Sequence, residues 1–250
     1  MTGDLTGKRF LVTGGSSGIG LATARLLAAQ GAGVSISGRD LPRLDAALAE
    51  LPGSGHAAAA FAFENADLIA EWLKNLAGEQ GPLDGIFHAA GIEMIRPIRL
   101  TKQQQLDEIL GSSLFAAFGI ARACSQKAVL ADGGSALFMT SVAASSGQVG
   151  MTAYSAAKSA IEGMVRSLAC ELAPRAVRVN ALAAGAVETP MHDRIMRGSG
   201  DAALEAYRNS HLLGFGSPED VANAAVFMLG AHSRWVTGTT MVVDGGYLCR

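Results

Sequence analysis

The feature that most constrains the fold of this chain is the alternation, from end to end, of short apolar runs with stretches of helical periodicity. Apolar runs stand at Lys8–Val12, Val34–Ser37, Leu83–His88, Ser135–Thr140, Val177–Ala181 and Thr239–Val243, with a further apolar segment at His56–Phe63. They show little of the in–out alternation of a half-solvated strand, so each reads as a strand buried on both faces. Between them the spacing predicts helices over Gly20–Gln30, Leu41–Leu51, around Asp67–Ala77, Lys102–Leu130, Tyr154–Leu172 and Pro218–Leu229. Gly31 reads as the C-terminal cap of the first helix, and Gly111-Ser112-Ser113 lies inside the longest one at some cost in propensity. Strands buried on both faces and separated by helices imply an α/β fold, a doubly wound parallel sheet with helices on each side. No repeat, low-complexity linker or charge run divides residues 1–250, so a single domain is expected.

Composition narrows the class of partner. Hydrophobic residues make up 49% and charged ones 17%, with 20 basic and 22 acidic side chains for a formal net charge of −2. That balance supplies no electrostatic attraction for nucleic acid or an anionic membrane. No apolar stretch approaches the roughly 20 residues of a membrane span, and the N-terminus lacks a secretory pattern, so a cytoplasmic protein is expected. Cys124, Cys170 and Cys249 are too far apart for a metal-binding pair and read as free thiols. No His, Cys and carboxylate combination has metal spacing, so no metal is expected.

The first strand runs into Thr13-Gly14-Gly15-Ser16-Ser17-Gly18-Ile19-Gly20, directly before a helix. Glycines at 14, 18 and 20 allow a tight turn, close backbone approach to a pyrophosphate, and close packing of helix on sheet. The free N–H groups and dipole of the helix N-terminus then favour the negative charge. The second strand ends in Ser37-Gly38-Arg39. An acidic residue there would accept from the ribose hydroxyls of NAD, whereas the Arg39 guanidinium suits the 2′-phosphate of NADP(H). Asp40, next to it, points the other way.

Ser141 directly follows the run SALFMT, Tyr154 comes thirteen residues later, and Lys158 lies four beyond Tyr154. That last spacing puts Tyr154 and Lys158 on one helix face, a turn apart. A phenol titrates ordinarily near ~10. A neighbouring ammonium stabilises the phenolate, so Lys158 is expected to move the Tyr154 pKa down toward neutrality and make it a general acid/base.

Together, TGGSSGIG at 13–20, HAAG at 88–91, Ser141 with YSAAK at 154–158, VRVNALAAG at 177–185 and VDGG at 243–246 resemble the short-chain dehydrogenase/reductase family over nearly the whole chain. The resemblance implies a Rossmann-type sheet of about seven parallel strands and hydride transfer between NADP(H) and a carbonyl or alcohol. It makes Tyr154 the acid/base, Lys158 the group that lowers its pKa and holds the nicotinamide ribose, and Ser141 the group that orients the substrate. Gly14, Ser16, Ser17, Gly18, Ile19, Gly20, Gly38 and Arg39 would surround the pyrophosphate and adenosine. Ala90 and Gly91 would pass beside the adenine ribose, and Gly185, Val187 and Thr189 would hold the carboxamide. It also implies a homo-oligomer, a tetramer or a dimer.

The chain departs from the family pattern in four places. Ser113 stands where an asparagine in the long helix usually holds the water of a proton relay. Ala89 replaces an asparagine after the fourth strand, Ala184-Gly185 replaces proline-glycine, and no acidic residue after the third strand matches the usual adenine contact, Glu64 being offset. Residues 188–216 correspond to the substrate lid, with Met191, His192, Ile195, Met196, Tyr207 and Leu212, and a turn at Gly198-Ser199-Gly200. Glu93, Met94, Gln148 and Val149 are expected near the same, largely apolar cleft. His192 is either a lid residue or a substrate ligand. Besides the reductase, a binding protein for NADP(H) with little redox activity and a non-redox lyase or epimerase stay open.

Overall fold

The computed structural model describes residues 4–63, 65–197 and 200–249. Seven strands, β1 (Arg9–Thr13), β2 (Gly33–Gly38), β3 (Ala57–Ala60), β4 (Leu83–His88), β5 (Leu130–Ser141), β6 (Arg178–Ala184) and β7 (Thr240–Val243), form one sheet in the order β3-β2-β1-β4-β5-β6-β7. Every pairing is parallel. The nine α-helices are α1 (Gly18–Ala29), α2 (Leu41–Leu48), α3 (Ala66–Gln80), α4 (Gln103–Leu110), α5 (Ala116–Cys124), α6 (Thr152–Leu172), α7 (Pro190–Met196), α8 (Asp201–Asn209) and α9 (Pro218–Leu229) among the described residues. The doubly wound parallel sheet expected from the sequence is what forms.

Two hydrophobic layers sandwich the sheet. On one face Leu11, Ile86 and Phe138 meet Ile69 and Leu73 of α3, Ile120 of α5 and Val165 of α6. On the other Val12, Ile36, Phe87 and Leu182 meet Leu27 of α1, Leu44 of α2 and Val221 and Met228 of α9. The chain winds outward in opposite directions from β1, to β2 on one side and β4 on the other. The loops after β1 and β4 therefore diverge and leave a crevice at the carboxyl ends of the strands, where ligands of such sheets bind.

The structure corrects the helix expected over Lys102–Leu130. It is broken by a π-helical turn at Gly111–Phe115 and ends at Cys124. The Ser112 hydroxyl donates to the Glu108 carbonyl at 2.8 Å, serving the ladder where it widens. Beyond Cys124 the apolar pair Val129-Leu130 continues the helical periodicity, but Leu130 pairs with Leu83 and opens β5. The expected lid holds α7 and α8; the Glu64 position, the Ile195 side chain and the Gly198-Ser199 part of the turn lie outside the described residues. No helix among the described residues is long and apolar enough to cross a membrane.

Candidate active site

The turn after β1 is built by close approach. The Gly14 and Gly15 N–H groups both donate to the Ser37 carbonyl, at 2.7 and 3.2 Å, tying the turn to the end of β2. A Cβ on Gly20 would fall on the Gly14 carbonyl, 2.8 Å from its carbon, and one on Gly14 would be 2.9 Å from the Ala90 nitrogen. Gly14 also sits at φ +70 and Gly18 at φ +53, backbone that favours glycine. Ser17 occupies the N-cap of α1 without a side-chain capping bond, and the first turn carries no acidic residue. The first N–H groups of α1 thus keep their hydrogen-bonding capacity and positive dipole end for an anion.

These residues open on a cavity of about 780 Å³. Its walls bring together Gly14, Ser16, Ser17, Gly18, Ile19, Gly20, Gly38, Arg39, Ala90, Gly91, Ser141, Tyr154, Lys158, Gly185, Val187 and Thr189, which the sequence scatters over 176 positions. Of the candidate residues only Ser113 does not line it; its neighbour Ser112 does. Ser113 is buried in the π turn, and its Oγ has no hydrogen-bond partner among the described residues.

At one end of the cavity, Asp40 caps α2, its carboxylate accepting from the Arg43 N–H at 3.1 Å. The carboxylate that competed with Arg39 in the sequence is therefore engaged by a helix. Arg39 makes no ion pair among the described residues, and Arg43, unremarked in the sequence, lines the same end. Its signal was the i, i+4 spacing from Arg39, which a turn of α2 folds back to the cavity.

At the other end, Ser141 closes β5 and its Oγ accepts from the Ala143 N–H at 3.2 Å. Tyr154 and Lys158 are both buried on α6. The Lys158 ammonium donates to the Met139 carbonyl at 3.2 Å and lies 5.6 Å from the centre of the Tyr154 ring. Burial pushes the Tyr154 phenol above its ordinary pKa, the Glu93 carboxylate adds to this, and the Ser141 hydroxyl opposes it. Burial lowers Lys158 to about 8, against the pull of Glu93. Within this chain, then, desolvation and the Glu93 charge move the phenol in the direction opposite to that expected of a neighbouring ammonium.

Gly185 follows β6 at a point where a Cβ would meet the Asp244 Cα at 2.8 Å, so the glycine is required there even with Ala184 in front of it. Thr189 caps α7, its Oγ1 accepting from the His192 N–H at 3.2 Å. Of the lid and cleft residues, Met191, His192, Met196, Tyr207, Glu93 and Gln148 line the cavity. Val149 is 96% exposed and Leu212 is half exposed, and neither reaches it; Met94 packs beside Tyr154 and Ile109 instead.

One buried group escaped the sequence reading. His88, at the end of β4, shares a 2.8 Å hydrogen bond between its Nδ1 and the Thr13 hydroxyl, which also accepts from the Ala90 N–H at 3.2 Å. Its Nε2 is buried without a partner among the described residues. Burial first, then the Lys158 cation, lower the His88 pKa from 6.5 to about 3. Between those values the unfolded chain holds a proton at His88 that the folded chain rejects. Stability therefore falls as pH drops through that window, by about 1.4 kcal/mol per pH unit. His88→Asn is expected to flatten the decline between pH 7 and 5, measured by urea unfolding; parallel declines in the two proteins would refute the assignment.

Comparison with known proteins follows this geometry. A family model described as enoyl-(acyl carrier protein) reductase matches residues 14–248. A 3-oxoacyl-[acyl-carrier-protein] reductase, FabG, of Thermotoga maritima is 32% identical over 244 residues, 97% of this chain and 98% of the relative. A 2,5-dichloro-2,5-cyclohexadiene-1,4-diol dehydrogenase of Sphingobium indicum is 36% identical over 261 aligned positions, covering 98% of each. Among solved structures, a blue fluorescent protein from a metagenomic library, in complex with NADPH, superposes with a TM-score of 0.89 at 29% identity, over 98% of this chain and 99% of the other.

Proposed function

Since the chain belongs to the short-chain dehydrogenase/reductase family, we propose that it is an NADP(H)-dependent oxidoreductase acting on CH–OH groups, reducing a ketone or oxidising a secondary alcohol. The observation that carries this reading is the convergence of Ser141, Tyr154 and Lys158 on the cavity that receives the uncapped N-terminus of α1. The residues fit a dinucleotide: a turn whose close backbone approach admits no Cβ at Gly14 or Gly20, free N–H groups for a pyrophosphate, and two arginines at the far end. NADP(H) is favoured over NAD(H) because Arg39 and Arg43 both line that end and Arg39 has no ion pair among the described residues, while Asp40, which lines it too, gives one oxygen to its cap. The NADPH in the structural relative described above supports the same choice.

When bound, the nicotinamide supplies or accepts the hydride. The chain's own residues handle the proton. Ser141 donates to the substrate oxygen and holds it beside the Tyr154 phenol. A phenol raised above its ordinary pKa stays protonated and is poised to donate as the carbonyl oxygen gains negative charge. The Lys158 ammonium, fixed to the Met139 carbonyl, stabilises the phenolate that remains. Ser113, unpartnered in the π turn, stands behind this pair as the candidate for a relay to solvent.

Residues 1–250 act in this reading as one dinucleotide-binding domain of a cytoplasmic enzyme, with 188–216 as its substrate lid. A small carbonyl or alcohol is its partner. A homo-oligomer is supported by the exposed Phe115 and Phe118 at the start of α5 and by the exposed Val242 of edge strand β7 and Trp235 shortly before it. The test is oxidation of NADPH and NADH against a panel of ketones, 3-oxoacyl thioesters and keto sugars, with Arg39→Glu alongside. Wild-type protein is expected to prefer NADPH, and the substitution to reduce that preference about 10- to 100-fold, the worth of one or two charge-assisted hydrogen bonds. An unchanged ratio of kcat/KM values would remove Arg39 from the cofactor site.

A further inference from the structure

Glu93 is a half-buried acid for which the proton chemistry above has no use. It follows β4, lines the cavity, and makes no hydrogen bond or ion pair among the described residues. Its charge nevertheless reaches Tyr154 and Lys158 on α6 and Tyr207 on α8, shifting all three. Burial raises its own pKa, and the Lys158 cation counters that. An unpaired carboxylate partly shielded from water is left short of partners, and in its ionised form it accepts hydrogen bonds without donating any. A ligand group that donates a hydrogen bond would favour the ionised carboxylate, as the Lys158 cation already does.

The surroundings say which donor. Gln148 and Tyr207 line the same end of the cavity. Gln148 is anchored by donating its Nε2 hydrogen to the Tyr247 hydroxyl at 2.7 Å. Tyr247 in turn packs on the His211 ring at 4.7 Å, and His211 Nε2 accepts from the Ala186 N–H at 3.1 Å. These contacts hold the Gln148 amide in place on one side of a cavity that Ile92, Met151, Met191 and Met196 also line. An ammonium ligand would gain from Glu93 but lose to Lys158 in the same cavity, and a carboxylate ligand would be repelled by Glu93. A neutral hydroxyl suffers neither penalty.

We propose that Glu93 is a specificity-determining residue that accepts a hydrogen bond from a second hydroxyl of the substrate, close to the reacting carbon. Diols and hydroxyketones are then the favoured substrates, ahead of simple ketones and anionic acyl compounds. The proposal rests on the oxidoreductase assignment above.

The test compares cyclohexane-1,2-diol with cyclohexanol. Binding is measured by calorimetry to enzyme loaded with whichever of NADPH or NADH it holds more tightly, since the reduced cofactor cannot oxidise an alcohol. Wild-type protein is expected to bind the diol about tenfold more tightly than cyclohexanol, as for a hydrogen bond to a charged group. In Glu93→Ala the preference should fall to about one, and Glu93→Gln, whose amide oxygen still accepts, should keep part of it. Cofactor affinity of each variant identifies any that misfolds, and Glu93→Gln, nearest in shape, then carries the comparison. Equal affinities in the wild type, a preference that survives Glu93→Ala, or tighter binding of 2-aminocyclohexanol than of the diol would overturn the proposal. Oxidation of the same alcohols with NADP⁺ and with NAD⁺ reads the redox assignment separately. An intact diol preference without turnover would refute that assignment and leave Glu93 as the hydroxyl-binding residue.

Discussion

Tyr154→Phe is expected to lower kcat by about 10³-fold, within the range for loss of a general acid, while cofactor affinity changes less than about twofold. The substitution removes one oxygen from a buried ring that packs with Met151, Ala157 and Ile109, so the packing should survive. It also removes a phenol that burial and Glu93 hold above its ordinary pKa. The measurement is steady-state reduction of the best ketone, with cofactor binding followed by nicotinamide fluorescence. Retention of more than a tenth of wild-type kcat would mean that the proton comes from another group, and Ser141 would be the first alternative to examine.

Gly20→Ala is expected to be the most damaging single-atom change outside the chemical centre. The new methyl would fall on the carbonyl of Gly14, a backbone atom of a turn that is itself tied to Ser37, so neither side can yield cheaply. Overpacking of this kind costs about 1–3 kcal/mol, and here it also displaces the turn from the N-terminus of α1. Urea unfolding should show that loss in the free protein and a larger one with NADPH present, because weaker binding removes ligand stabilisation as well. Gly78→Ala is the matched control. Gly78 lies in α3 with nothing within 4 Å of an added Cβ, so alanine there should stabilise by about 0.5–1 kcal/mol. Equal effects of the two substitutions would show that the close approach at Gly20 does not constrain the turn.

The elements legible in the sequence were those with local punctuation. Pro218–Leu229 emerges with its expected bounds because Ser217 and Asp220 form a capping box before it and Gly230 follows it. Leu83–His88 also keeps its bounds, framed by Gly81-Pro82 and by the glycine-bearing segment after His88. Gly31, expected to cap α1, stands one residue beyond the actual cap, Gln30, and turns the chain away at φ +88. The failures share a different cause. Val129-Leu130 satisfies the helical period as well as it satisfies a strand, and only pairing with Leu83 decides between them. The lid helices α7 and α8 are short, and neither has an apolar stripe long enough to stand out against the loops around it.

The candidate site divides along the same line. Spacing within one element was enough to put Tyr154 and Lys158 on one face of α6, and the strand–glycine–helix order was enough to place a phosphate-binding turn after β1. Both are relations between residues close in the chain, where backbone geometry alone sets the distance. What the fold decided were relations across the chain. It buried Tyr154 and brought Glu93 from the loop after β4 to bear on it, so the phenol moves up where the Tyr–Lys spacing alone pointed down. It also engaged one Asp40 oxygen in a helix cap and brought Arg43 to the cavity beside Arg39 and Asp40. Residue type and local spacing determine which chemical groups are present and which share a face. Desolvation and long-range charge, which set how those groups behave, depend on what packs around them and exist only once the chain has folded.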